Sequence, residues 1–271
     1  MSLPLQDQIV LFGDSITQAS HRISSSFSFD PASNGWGAAL AHEYQRKLDV
    51  VNRGYSGYNT DWALPLLASI LPLSGQVQAS IALFCIFFGA NDAALECSVQ
   101  HVPVDRYMAN IKKMMDTILD AASPRYSATS KVLLFTPPPL DDEGWSKKCK
   151  EDGIPVNRRN SVTATYADAI RQVQHPRVVI VDVWTEFMTR AGLLNGVVPA
   201  GQDKNPLASM EQCPADAPAL GDFFVDGLHF SPLGCQATEL IMRTISQHIP
   251  ELSPENIQEN VPSWRDVAQS K

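Results

Sequence analysis

Short apolar runs closed by turn residues alternate along this chain with segments of helical periodicity. The apolar runs have the length of buried parallel strands and cover residues 8–13, 49–54, 80–89, 131–136 and 177–183. The helical segments lie near residues 36–48, 61–71, 104–121, 160–174, 184–191 and 233–248. Parallel strands need crossover helices, which cover both faces of the sheet. The sequence therefore predicts one three-layer α/β/α, doubly wound domain with a five-stranded parallel sheet.

Two stretches interrupt this alternation. Residues 193–222 are rich in Gly, Pro, Ala and Asp, which is typical of a long loop insertion rather than a second domain. Residues 250–271 are polar and are expected to form a C-terminal tail over the surface. The predicted domain spans residues 1–249, and its last helix is expected to open at Ser231-Pro232, a capping residue followed by a helix-compatible proline.

The charge balance of the chain disfavours a nucleic-acid partner. The 21 Lys and Arg are outnumbered by 29 Asp and Glu, for a net charge of −8. A nucleic-acid surface needs clustered basic side chains, whereas the pairs Lys147-Lys148 and Arg158-Arg159 are short and are expected to be solvated loop charges. We therefore expect a small-molecule partner.

Three further features of the sequence indicate whether the chain spans a membrane, which compartment it occupies and whether it binds a metal. The longest apolar stretch, residues 81–90, is too short to span a bilayer, and no secretory signal is visible. Five cysteines without Cys-x-x-Cys spacing fit the reduced thiols of a cytoplasmic protein. The six histidines lack ligand spacing, so no metal site is expected. Whether the chain forms a homo-oligomer stays open.

Polar residues follow the predicted strands at the edge where parallel sheets collect functional groups. Ser15 follows the first strand, Gly57 the second and Asn91 the third. Asp226 and His229 follow the last strand and the long loop. If the fold is as predicted, these five residues meet at one edge of the sheet.

These residue types supply the groups that acyl transfer needs. A serine hydroxyl becomes nucleophilic when a neutral imidazole accepts its proton, and a carboxylate holds the other ring nitrogen. Ser15, His229 and Asp226 fit those three roles. The negative oxygen of the transition state needs preset donors, for which the backbone N–H groups of Ser15 and Gly57 and the side-chain amide of Asn91 are candidates.

Each residue also has a structural explanation. Ser15 can cap the first helix, Gly57 can permit a tight turn and Asn91 can cap the helix that follows it. Asp226 with the next glycine is a common turn pair, and a lone histidine such as His229 is more often structural than catalytic. For any one residue the structural explanation is the better one. The occurrence of all these residues together at four predicted strand ends favours a hydrolase site.

The residues also resemble a known family. The blocks "FGDSIT", "GYSGYNT", "FFGAND" and "DGLHFSP" resemble the four signature blocks of the GDSL, or SGNH, hydrolases. Four longer stretches resemble the subfamily of isoamyl acetate-hydrolysing esterases, namely "NRGYSGYNTDWAL", "FFGANDAAL", "QHVPVDRYMANIKKM" and "TPPPL". The similarity covers roughly residues 8–249.

The resemblance implies a flavodoxin-like fold and hydrolysis of short-chain carboxylic esters through an acyl-enzyme, without a metal or organic cofactor. It implies that Ser15 is the nucleophile, His229 the base and Asp226 its partner. Ser15, Gly57 and Asn91 would form the oxyanion hole. The expected substrates are acetate esters of alkyl alcohols, such as isoamyl acetate.

Other functions compete with this one. The same site would serve sugar O-deacetylation, lysophospholipid or thioester hydrolysis, or acyl transfer to an alcohol. A protein of another class, a catalytically silent flavodoxin-like binding module, is disfavoured by the intact serine, histidine and aspartate.

Apolar side chains near the signature blocks suggest a pocket for small alkyl groups, with the 193–222 loop as a lid. The candidate pocket residues are Tyr55, Tyr58, Trp62, Leu140 and Leu228. Other loop aromatics fit either a pocket or the core equally well, namely Phe29, Trp145, Phe223 and Phe224.

Overall fold

All five predicted strands form and pair into one parallel sheet. A computed structural model describes residues 6–18, 35–75, 79–194, 217–260 and 264–269. The strands are β1 Gln8–Gly13, β2 Asp49–Gly54, β3 Ile81–Phe87, β4 Lys131–Phe135 and β5 Val178–Val181. They lie in the order β2-β1-β3-β4-β5, with every pair parallel. The order reverses at β1 and β3, which is where such sheets open a crevice at their carboxyl edge.

Helices connect the strands and cover both faces of the sheet. In chain order the α-helices are α1 Ser15–Gln18, α2 Trp36–Glu43, α3 Thr60–Ala63, α4 Leu67–Ile70, α5 Val104–Leu119, α6 Asp142–Glu151, α7 Asn160–Arg171, α8 Val183–Arg190, α9 Ala237–His248 and α10 Trp264–Gln269. Short 3₁₀ helices lie at Leu64–Leu66, Leu220–Phe223, Gly234–Gln236 and Pro250–Leu252.

The alternation of side chains along the strands divides the core into two layers. Ile9 and Leu11 of β1 face a cluster that includes residues of α2, α8 and α9. Val10 and Phe12 of the same strand face the opposite cluster, which includes residues of α4, α5 and α7. Because successive side chains of a strand point to opposite faces, the apolar runs fill both layers. The predicted three-layer α/β/α domain is confirmed.

Two helix predictions need correction. The single helix expected over residues 61–71 is broken into α3, a 3₁₀ turn and α4, because Pro65 lies in the turn and has no N–H to donate. The last helix does not open at Ser231-Pro232 but at Ala237, after a 3₁₀ turn. The Ser231 hydroxyl accepts a hydrogen bond from the N–H of Gly234, so it caps that turn instead.

Helix α6 has no counterpart among the sequence predictions. Its sequence, DEGWSKKCKE, is mostly polar, and only Trp145 and Cys149 are buried. Two apolar residues in ten make no recognisable helical stripe. Its N-terminus is nevertheless capped, because Oδ2 of Asp141 accepts a hydrogen bond from the N–H of Gly144.

The polar segment after α9 contacts the turn that follows α2. The hydroxyl of Tyr44 donates to the carbonyl of Leu252 at 2.7 Å, and the N–H of Asn260 donates to the carbonyl of Arg46.

No helix in the described ranges is long and apolar enough to cross a membrane. Most of the predicted 193–222 loop, residues 195–216, lies outside the described residues.

Candidate active site

Ser15 lies where β1 meets α1, and its hydroxyl contacts a histidine rather than the helix. The Oγ atom of Ser15 is 2.9 Å from Nε2 of His229. Asp14 caps α1 instead, because its Oδ1 accepts a hydrogen bond from the N–H of Ile16 and its carbonyl oxygen accepts two further helical N–H groups. The capping explanation for Ser15 therefore does not hold, and its hydroxyl faces the imidazole of His229.

Asp226 holds the other side of the His229 imidazole. Its Oδ2 is 2.8 Å from Nδ1 of His229, and its Oδ1 accepts hydrogen bonds from the N–H groups of Leu228 and His229. Burial alone would raise the pKa of Asp226, but the hydrogen bonds and charge of His229 outweigh it and lower this pKa to about 2. A carboxylate at Nδ1 favours a proton there, which leaves Nε2 to accept from Ser15.

The loop that carries Asp226 and His229 is closed by backbone contacts. Phe224 and Phe230 form an antiparallel bridge on either side of it. The N–H of Val225 donates to the carbonyl of His229 at 2.8 Å. These contacts close the turn between Asp226 and His229 and hold the Asp226 carboxylate against the His229 imidazole.

Helix α6 packs directly on this loop at Gly227. Gly227 has a φ of +90°, and a Cβ built on it would lie 2.2 Å from the backbone nitrogen of Trp145 in α6. Its carbonyl accepts a hydrogen bond from the N–H of Asp141, the residue that caps α6. Only glycine fits both the backbone conformation and this close approach.

Three candidate donors occupy the loops after β1, β2 and β3. Among the described residues, no acceptor is found for the backbone N–H of Ser15 or of Gly57. Gly57 has a φ of +79°, which favours glycine. The side-chain amide of Asn91 donates one hydrogen bond to the carbonyl of Tyr58 at 2.9 Å. An amide nitrogen carries two hydrogens, so Asn91 retains a second donor.

Asp92 joins the second and third loops. Its Oδ1 accepts hydrogen bonds from both the N–H and the hydroxyl of Thr60, the first residue of α3. Its Oδ2 has no hydrogen-bond partner among the described residues. Burial raises the pKa of Asp92 to about 7. The side chain thus fastens the loop after β3 to the helix that follows β2.

Arg158 is a site residue that the sequence did not reveal. The expectation of a solvated pair is wrong for it, because Arg158 is 4% exposed while Arg159 is exposed. Its Nη2 donates to Oδ1 of Asn91 at 2.9 Å, and its guanidinium lies 4.8 Å from the ring of Trp145. Burial lowers the pKa of Arg158 to about 10, so it remains charged at neutral pH. No motif in the sequence marks it.

The five candidate pocket residues fall into two groups. Tyr55, Tyr58 and Trp62 form a row of ring contacts, with centroids 5.5 and 6.2 Å apart, and Trp62 is 43% exposed. Leu140 and Leu228 are 1% and 5% exposed and belong to the core cluster that faces α2, α8 and α9. Of the five candidate pocket residues, only the aromatic row of Tyr55, Tyr58 and Trp62 is accessible to a ligand at the surface.

The other loop aromatics belong to the core where the structure describes them. Trp145, Phe223 and Phe224 are buried members of one hydrophobic cluster. Phe29 lies outside the described residues.

Known proteins resemble this chain over nearly its whole length. The model of the GDSL-like lipase/acylhydrolase family matches residues 11–237. A human protein named isoamyl acetate-hydrolyzing esterase 1 homolog is 36% identical over 275 residues, which cover 98% of this chain and 90% of that protein. The isoamyl acetate-hydrolyzing esterase of Saccharomyces cerevisiae is 29% identical over 272 residues, covering 96% of this chain and 95% of that protein.

A solved structure shares the fold at lower sequence identity. The crystal structure of the lipase/acylhydrolase from Enterococcus faecalis superposes with a TM-score of 0.58 and 20% identity, covering 95% of this chain and all of that chain. The family model covers most of the sequence and the human relative aligns almost end to end, so this chain belongs to the GDSL-like lipase/acylhydrolase family.

Proposed function

We propose that this protein is a serine esterase that hydrolyses short-chain carboxylic esters through an acyl-enzyme, with acetate esters of alkyl alcohols such as isoamyl acetate as its substrates. The observation that carries the proposal is the continuous set of contacts from Asp226 through His229 to the hydroxyl of Ser15. The names of the human and yeast relatives support the choice of substrate.

In the first half of the reaction Ser15 becomes acylated. Its Oγ attacks the ester carbonyl carbon while Nε2 of His229 accepts the hydroxyl proton. The electron pair of the carbonyl bond moves to the oxygen, which accepts hydrogen bonds from the N–H groups of Ser15 and Gly57 and from the amide of Asn91. When the tetrahedral intermediate collapses, the alcohol leaves with the proton from His229.

Water completes the cycle by the same route. His229 accepts a proton from water as the water oxygen attacks the acyl carbon on Ser15. The second tetrahedral intermediate releases the carboxylic acid, and the proton returns from His229 to Oγ of Ser15. Asp226 stays ionised throughout, because its low pKa favours the carboxylate beside an imidazolium.

The proposed alcohol site is the aromatic row beside the donors. Tyr55, Tyr58 and Trp62 offer apolar ring faces, and each substrate methylene that they cover contributes about 0.8 kcal/mol. Leu140 and Leu228 belong to the core cluster on the opposite face of the sheet, so they are not part of this proposed site. A medium alkyl alcohol gains affinity from the aromatic ring faces, whereas a charged substrate gains none.

Two measurements test the proposal. A fluorophosphonate probe should give one adduct in the intact mass, on the peptide that holds Ser15, and Ser15→Ala should abolish it. The nearby exposed serine Ser56 serves as the matched control, since Ser56→Ala should leave labelling unchanged. An adduct on Ser56 would contradict the assigned nucleophile.

A series of p-nitrophenyl esters and small alkyl acetates tests the substrate class. We expect kcat/KM to be highest for acetate esters of medium alkyl alcohols, with Ser15→Ala as the blank. A preference for long acyl chains, or for sugar acetates or thioesters, would rule out the proposed substrate class.

A further inference from the structure

The side-chain amide of Asn91 acts as a donor only in one of its two orientations. Its oxygen and nitrogen are almost equal in size, and a half-turn would present a lone pair instead of an N–H to the reacting oxygen. In the protein, Oδ1 of Asn91 accepts hydrogen bonds from Nη2 of Arg158 at 2.9 Å and from Nε2 of Gln100 at 3.2 Å. Reversing the amide would set its NH₂ group against two other donors.

The guanidinium of Arg158 is itself fixed from several sides. Its Nε donates to the carbonyl of Ala90 and its Nη1 to Oδ1 of Asn157, both within 3.2 Å. The indole N–H of Trp145 donates to the same Asn157 oxygen, and the Trp145 ring stacks on the guanidinium. Nearly complete burial and these contacts leave Arg158 little freedom to follow Asn91 if the amide turns.

Gln100 connects this arginine to the second backbone donor. Its Oε1 accepts a hydrogen bond from Nη2 of Arg158 at 2.6 Å, and its Nε2 donates to the carbonyl of Gly57 at 2.9 Å. The carbonyl of Gln100 in turn accepts from the side chain of Asn59, which caps α3. One glutamine therefore joins Gly57 and Asn91, which belong to different loops.

We propose that Arg158, with Gln100, is a positioning residue of the oxyanion hole and acts on the transition state through Asn91. Two effects follow from the contacts. The hydrogen bonds to Oδ1 keep the N–H side of Asn91 toward the reacting oxygen. The positive guanidinium beside Oδ1 also draws electron density from the amide, which makes its N–H a stronger donor because Asn91 is buried. The inference rests on the proposed function of the site.

A structural role for Arg158 makes a different prediction. The residue also pairs with Ala94 across an antiparallel bridge between two loops, so its loss could lower stability without touching the chemistry. In that case a variant would lose activity only in proportion to its unfolded fraction. Its effect would add in full to that of Asn91→Ala, because the two changes would act independently.

The experiment is a double-mutant cycle with Arg158→Gln and Asn91→Ala, measured on a short acetate ester below the melting temperature of each variant. We expect Arg158→Gln to lower kcat by about tenfold or more with KM within about twofold. In the Asn91→Ala background the same change should have little further effect. Additive losses, or an unchanged kcat in a folded Arg158→Gln, would overturn the inference.

Additional variants keep the test interpretable. Arg159→Gln is the matched control, since this neighbouring arginine is exposed and should leave kcat unchanged. If Arg158→Gln does not fold, Gln100→Ala removes one donor from Asn91 and should also lower kcat rather than raise KM. Gln100→Ala with an unchanged kcat would contradict the proposed positioning of Asn91 by Arg158 and Gln100.

Fluorophosphonate labelling separates this inference from the function on which it rests. A native protein that neither takes the label nor hydrolyses esters contradicts the proposed function. A native protein that takes the label at the same rate as folded Arg158→Gln contradicts only the role of Arg158, because labelling also builds negative charge on an oxygen at this site.

Discussion

Asp14 and Ser15 are adjacent, both buried, and have different roles. Asp14 caps α1 through the N–H of Ile16, which leaves the hydroxyl of Ser15 to Nε2 of His229. Burial raises the pKa of Asp14 to about 6. Its ionisation therefore falls within the pH range over which activity is measured, and its effect must be separated from that of the histidine base.

The first residue-scale prediction concerns the pH dependence of kcat/KM. A histidine base must be neutral to accept the serine proton, so kcat/KM should rise over the measured pH range and then level off. Asp226 does not titrate in that range, because its pKa is about 2. Asp226→Asn should lower kcat by at least about a hundredfold with the fold intact. Rates measured from pH 5 to 9 check both statements.

Asp14→Asn is the control for this profile. An asparagine still caps the helix but removes the neighbouring ionisation. We expect the rise with pH to persist in Asp14→Asn. A profile that becomes flat in this variant would assign the ionisation to Asp14 instead of His229.

At the scale of elements, α6 packs against the loop that carries Asp226 and His229. Its cap residue Asp141 donates its N–H to the carbonyl of Gly227, and its residue Trp145 stacks on Arg158. The same helix therefore contacts both the loop of Asp226 and His229 and the side chain of Arg158, which donates a hydrogen bond to Asn91. Through these contacts α6 links the loop of Asp226 and His229 to the side chain of Arg158.

The element-scale prediction is that Gly227→Ala is harmful to both stability and turnover. The added Cβ would lie 2.2 Å from a backbone nitrogen at a φ of +90°. We expect a stability loss on the order of 2 kcal/mol or more and a lower kcat, because the loop must move away from α6. Thermal unfolding and ester kinetics measure the two effects.

Gly153→Ala is the matched control for that substitution. Gly153 also has a positive φ, of +68°, but a Cβ there meets nothing within 4 Å. Its substitution should cost about 1 kcal/mol from the backbone alone and leave kcat unchanged. Equal effects of the two alanines would show that the contact with α6 does not matter.

At the scale of the whole molecule, the fold buries two carboxyl groups near the sheet edge. Burial raises the pKa of Asp14 to about 6 and that of Asp92 to about 7. Asp226 lies at the same edge with its pKa lowered to about 2, because it is paired with His229. The first two groups weaken the fold when they ionise, whereas the third strengthens it.

The whole-molecule prediction follows from the sign of those shifts. Above about pH 4 the unfolded chain releases protons that folded Asp14 and Asp92 retain, so the free energy of unfolding should fall as pH rises from about 4 to 7. Each group contributes a slope of up to about 1.4 kcal/mol per pH unit. Urea unfolding between pH 4.5 and 8 should show this decline.

Asp92→Asn tests which group is responsible. The asparagine keeps an oxygen acceptor for the N–H of Thr60 but cannot ionise. The decline between pH 4.5 and 7 should become shallower in this variant. If its slope equals that of the native chain, the buried carboxyl of Asp92 is not its source.

The sequence by itself determined the elements whose signal is local. The five strands were predicted because an apolar run between turn residues needs no distant partner to be recognised. The long helix α5 was predicted because its apolar repeat is complete within one segment. The residues Ser15, Gly57, Asn91, Asp226 and His229 stood at strand ends, and parallel topology brings strand ends together.

Tertiary structure decided the features whose cause lies in another part of the chain. Arg158 is buried because Asn91, Gln100 and Trp145 surround it, and nothing in its own neighbourhood distinguishes it from the exposed Arg159. Helix α6 buries too few apolar side chains to be recognised from its sequence pattern, yet it packs on Gly227. A side chain's environment is set by the segments that fold onto it, and local periodicity carries no information about which segments those are.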